Sequence, residues 1–121
     1  MTGRILVAGQ FAAEGALSVA LDDAARRYPE GTLVYVTDHA AGIVAADRWV
    51  AAGRPIEPVE EIRHQNLAWL QARRLVHGYE DAPGVDLVIS CPDGWKTFDR
   101  AAAVEAMAAG IPVIRVASEQ E

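Results

Sequence analysis

The sequence predicts a single α/β domain built on an open parallel sheet with helices on both faces. Three observations predict it. Short, β-rich apolar runs alternate with longer stretches whose apolar residues recur at helical spacing. Glycine and proline punctuate the boundaries between them. The chain has 121 residues, 51% of them hydrophobic, which suits one sheet covered by helices and not two cores, so residues 1–121 are read as one domain.

Ile5-Leu6-Val7-Ala8 is an unbroken apolar run closed by Gly9, the pattern of a strand buried on both faces. Leu17, Ala20, Leu21, Ala24 and Tyr28 then mark one face of a helix, with Asp22, Asp23, Arg26 and Arg27 between them. Pro29 and Gly31 end it, and residues 32–37 form a second strand rich in β-branched and aromatic side chains. Residues 42–52 read as a short helix with Ile43, Trp49 and Val50 inward, stopped by Gly53 and Pro55. Residues 56–59 make a short edge strand, because Pro55 and Pro58 cannot donate to a central ladder. A helix over 60–77 puts Ile62, Trp69, Leu70, Arg73 and Val76 along one stripe. After the break at Pro83-Gly84, residues 85–90 form the clearest strand since the first. Thr97 caps a last helix that runs to Ala109, Gly110 closes it, and residues 111–116 form the final strand. Strands joined by helices of this length imply right-handed crossovers and a parallel sheet, with spatial order 3-2-1-4-5.

The net charge of −6 argues against a protein that tracks nucleic-acid phosphates. No apolar run approaches the length of a membrane span, and the start, MTGRILVAGQ, is too short in its apolar part for a signal peptide, so a cytoplasmic protein of a bacterium or phage is expected. Cys91 stands alone, which excludes an internal disulfide and a cysteine-based zinc cluster. His39, His64 and His77 lack the spacing that sets two ligands on one helix face, so no metal is expected, and no cofactor.

In an open sheet of this order, ligands bind at the carboxyl edge where strand order reverses. That crevice lies between Gly9, Gln10 and Phe11 after the first strand and Pro92-Asp93-Gly94-Trp95-Lys96-Thr97 after the fourth. Gly94 permits close backbone approach, and a helix start supplies free N–H groups for an anion. Lys96 and the Thr97 hydroxyl suit a phosphate, and Trp95 offers a flat face to a base or sugar. The competing reading makes Pro92-Asp93-Gly94 a plain turn and Thr97 a plain helix cap.

The stretch VDLVISCPDGWKTFDRAAAVEAMAAGIPVIRV, residues 85–116, resembles the C-terminal half of the SLOG superfamily, in particular its YspA-like branch. Thr97, Asp99, Ala106 or Ala109, and Gly110-Ile111-Pro112-Val113 match its Thr-x-Asp helix start and Gly-Ile-Pro-Val ending. RILVAGQF resembles the family's first strand and loop. HAAGIVAADRWVAAGRPIEPV is similar to its histidine–glycine–glycine segment followed by Gly-Ala-Asp-Arg, and RHQNLAWL to its arginine–asparagine helix entry. The resemblance implies a Rossmann-like domain that binds nucleotides or nucleotide-derived ligands such as ADP-ribose. Related hydrolases in the superfamily cleave the N-glycosidic bond of nucleoside monophosphates with a Pro-Gly-Gly-x-Gly-Thr-x-x-Glu loop. Here Asp93 replaces the first glycine, Lys96 the later one, and Arg100 the glutamate, while Ala40-Ala41 stand for the paired glycines. Binding as a sensor, carrier or sequestering protein is therefore expected in preference to turnover. The alternatives are an N-glycoside hydrolase or transferase with Asp99 or Asp93 as its carboxylate, and a degenerate interaction module.

Outer contacts are expected from His39 at the end of the second strand and from Arg63 and Asn66 at the third helix, although Glu60 and Glu61 would oppose an anion there. Asp38-His39 equally suits a polar strand exit, and Asp47-Arg48 either a ribose and phosphate contact or a solvated helix face. His77 is read as a residue complementing its helix dipole, and Cys91 as a small buried side chain in preference to a nucleophile. Ser90 lacks the glycines of a nucleophile elbow. Trp49 and Trp69 belong in the core or in a subunit interface, and a homodimer through the second and third helices is expected.

Overall fold

A computed structural model of the chain describes residues 3–8, 14–36, 40–60, 62, 64–79, 82–90 and 97–116. In chain order the elements are β1 (Arg4–Ala8), α1 (Glu14–Arg27), β2 (Thr32–Val36), α2 (Ala40–Ala51), β3 (Ile56–Pro58), α3 (Gln65–His77), β4 (Gly78–Tyr79), β5 (Ala82–Pro83), β6 (Leu87–Ser90), α4 (Thr97–Ala108) and β7 (Val113–Arg115). Five strands form one sheet in the order β3-β2-β1-β6-β7, every pairing parallel. Counted along the five long-range strands this is 3-2-1-4-5, a Rossmann-like α/β fold. The two-residue strands β4 and β5 pair antiparallel by themselves, an addition that no residue pattern of that length could announce.

Alternation along the strands divides the core between the two faces. Ile5 and Val7 of β1, Leu33 of β2 and Leu87 and Ile89 of β6 meet Leu17, Ala20, Leu21 and Ala24 of α1 and Trp49 of α2. Leu6 and Ala8, Val34 and Val88 point the other way, against Ala68, Ala72 and Val76 of α3 and Phe98, Ala101, Ala102 and Ala106 of α4. Helices thus cover both faces, α1 and α2 on one and α3 and α4 on the other. At the amino edge Arg4 and Asp86 exchange bonds: the Arg4 N–H donates to Asp86 Oδ2 at 2.9 Å and the Asp86 N–H donates to the Arg4 carbonyl at 2.7 Å. No helix among the described residues is long and apolar enough to cross a membrane.

Several expectations shift. In α2, Trp49 turns inward and donates its indole N–H to the Pro55 carbonyl at 2.9 Å, but Val50 faces solvent. Helix α3 begins at Gln65, not near residue 60. The side-chain amide of Gln71 explains the late start: its Nε2 donates to the Glu60 carbonyl at 2.8 Å and its Oε1 accepts the Ile62 N–H at 3.0 Å, so the entry strap bonds to the helix flank instead of joining the helix. The buried stripe of α3 is Ala68, Ala72 and Val76, while Ile62, Trp69, Leu70 and Arg73 lie exposed. Small residues win because α3 and α4 approach closely, alanine against alanine, over the sheet.

Helix α4 ends as its sequence requires. The Ile111 N–H donates to the Ala106 carbonyl at 2.9 Å and the Gly110 N–H to the Met107 carbonyl at 3.2 Å, the two bonds of a Schellman motif. Gly110 has φ of 76°, which a residue without a Cβ adopts freely, and Ile111 packs against the α3/α4 core.

Candidate functional site

The order of the strands reverses between β1 and β6. From β1 the chain crosses through α1 to β2 on one side; from β6 it crosses through α4 to β7 on the other. The two helices lie on opposite faces of the sheet, so the chain diverges at this point. Ala8 and Ser90 are register partners, which ends the two strands level at the carboxyl edge. In open α/β sheets such a point offers backbone groups and helix starts to a ligand without any special sequence.

Of the residues expected there, Gly9, Gln10, Phe11, His39, Arg63, Pro92, Asp93, Gly94, Trp95 and Lys96 lie outside the described residues, as do Asp38 and Cys91. Thr97, Asp99 and Asn66 are described. Thr97 is the first residue of α4 and half-buried. Asp99 follows in the first turn, only 1% exposed. A carboxylate in that turn complements the positive end of the helix dipole. Arg100, standing where the hydrolase pattern carries glutamate, points to solvent.

The two helices of this face are held in parallel register. His77 Nε2 lies 2.7 Å from Glu105 Oε1, and Arg73 Nε lies 3.7 Å from Glu105 Oε2. Because each helix follows a parallel strand and runs back to the amino edge, both helix starts lie at the carboxyl edge. Thr97 and Asp99 are therefore brought to the same edge as Asn66, the second residue of α3, which is exposed. Asp47 and Arg48 are not brought to this place. They sit on the α1/α2 face, where Arg48 Nη1 donates to Ser18 Oγ at 3.2 Å.

One residue gains weight that its sequence did not give it. Ser90 is fully buried at the carboxyl end of β6, and its hydroxyl has no hydrogen-bond partner among the described residues. A buried hydroxyl without a partner costs about 1–3 kcal/mol, so natural chains seldom retain one without a reason. The available signal was a polar residue on the same face as Val88 in an otherwise apolar strand. Comparison with known proteins adds no assignment: no family model matches the chain, and no curated protein matches it.

Proposed function

We propose that the protein binds a nucleotide or ADP-ribose-type ligand at the carboxyl edge between β1 and β6, as a SLOG-like sensor, carrier or sequestering protein. The observation that carries the reading is the reversal of strand order at these two strands, the point at which open α/β sheets receive their ligands. The residue types that follow fit such a ligand: Gly94 and the start of α4 for phosphate, Lys96 and Thr97 for its charge and oxygen atoms, Trp95 for a base. Ser90, buried at the mouth, supplies a hydroxyl in need of a partner. The burial of Asp99 and the exposed arginine at position 100 favour binding over turnover, because neither presents a free carboxylate to a sugar carbon.

Thermal unfolding in the presence of AMP, ADP, ADP-ribose and dinucleotides tests the proposal. A ligand at 100 times its Kd stabilises by about 2.7 kcal/mol, so at least one member of the panel raises Tm by several degrees. No shift with any member refutes the reading. Release of free base from a nucleoside monophosphate, abolished by Asp99→Asn, would replace it with the hydrolase.

A further inference from the structure

Seven of the nine large hydrophobic side chains exposed among the described residues belong to α3, α4 or the residues flanking α3. Leu67 and Leu70 on α3 and Val104 and Met107 on α4 project from the faces opposite the sheet, and Trp69 stands beside them, 40% exposed. Among the described residues the exposed charge of these two helices is one-sided. Helix α3 contains no acidic residue, and its basic side chains are Arg73, Arg74 and His77. In α4 both carboxylates turn away from solvent: Asp99 is buried, and Glu105 is drawn between the helices by His77 and Arg73, leaving Arg100 exposed. A chain of net charge −6 thus carries a helical surface with no exposed carboxylate on either helix.

The same face carries a receptacle. A cavity of about 270 Å³ is lined by Leu70, Arg73, Arg74, His77, Gly78 and Tyr79. Its wall is stiffened by the Arg74 guanidinium, which lies 4.2 Å from the centre of the Tyr79 ring. An apolar pocket rimmed by cations fits an anchor side chain flanked by carboxylates.

From this geometry we infer that the outer face of α3 and α4 docks an acidic amphipathic helix of another protein, which seats an apolar anchor between Leu70 and Tyr79. Charge complementarity selects this occupant. An isologous pair of this chain would set Arg74 and Arg100 near their own copies, with no exposed carboxylate on either helix to answer them. The helix-in-groove mode uses apolar anchors at spacing i, i+3, i+4 and i+7, which Leu67, Leu70, Val104 and Met107 can receive.

The test uses the full chain and two synthetic helical peptides with the same leucine spacing, one carrying glutamate and one lysine at the polar positions. Fluorescence anisotropy of the labelled peptides should show the glutamate peptide binding at least about tenfold more tightly, with an affinity that falls as salt rises. Arg74→Glu combined with Arg100→Glu should remove that preference, and Leu70→Ser should weaken the glutamate peptide without inverting it. Equal binding of the two peptides, or binding of neither, overturns the inference. So does a dimer in light scattering that Leu70→Ser dissociates, which would make the face a self-interface. Tighter adsorption to anionic vesicles than to the glutamate peptide would assign it to a membrane instead and equally overturn it.

Discussion

Replacing Gly84 with alanine puts a methyl group where the chain has room only for hydrogen. The added Cβ would stand 2.5 Å from the Val76 carbonyl oxygen, 2.8 Å from the His77 carbonyl carbon and 3.0 Å from the His77 carbonyl oxygen. These are backbone atoms at the end of α3, and they cannot swing aside as a flexible side chain would. The segment is also held in place, since the next residue, Val85, donates its N–H to the Val76 carbonyl at 3.1 Å. Relief requires the strand or the helix end to move, an overpacking cost of about 1–3 kcal/mol. A chain of this length loses roughly 4 °C of Tm per kcal/mol, so Gly84→Ala should melt about 4–12 °C lower. Urea unfolding should show the midpoint falling with the slope unchanged, which separates lost stability from a change in the denatured state. A variant that unfolds at the same urea concentration as the parent refutes the close approach of residues 82–86 to the end of α3.

Ala102 is fully buried between α4 and the sheet, in the cluster that also holds Ala68 and Ala72 of α3, so Ala102→Leu should destabilise by about 1–3 kcal/mol or more in chemical denaturation, against little change for Ala108→Leu on the exposed side. A double-mutant cycle between His77→Ala and Glu105→Ala should give a coupling of about 0.5–1 kcal/mol, held low because the His77 side chain is 40% exposed; strict additivity would contradict the contact. Ser90→Ala should leave stability unchanged or raise it by about 1 kcal/mol, because it removes a buried hydroxyl without a partner; a loss beyond that, measured by urea unfolding, would contradict the assignment.

How much of this was legible beforehand follows from where the information resides. The apolar runs at Ile5–Ala8 and Leu87–Ile89 announce strands buried on both faces, and connection length then leaves few topologies, so the parallel sheet and its order are readable. Helix α3 was misphased because hydrophobicity ranks Trp69 and Leu70 above Ala68 and Ala72, whereas the gap between two close helices admits only small side chains. Its late start was hidden for a different reason: the Gln71 amide bonds Glu60 and Ile62, eleven and nine residues back, a contact no local pattern encodes. Topology alone marks the candidate site's place, while most of its expected residues, Gly9 to Phe11 and Pro92 to Lys96, fall outside the described residues. The basic, apolar outer face of α3 was present in the string QNLAWLQARRLVH, which has no acid at all, but its exposure depends on which stripe the sheet takes.

The most direct measurement of the central claim is amide chemical-shift mapping of the labelled protein titrated with AMP and ADP-ribose. Binding at the strand-order reversal predicts saturable shifts at Ala8, Ser90, Thr97 and Phe98, with Asn66 at the margin of the response. An unchanged spectrum with both ligands, or shifts grouped at Arg4, Asp86 and the amino edge, would contradict it.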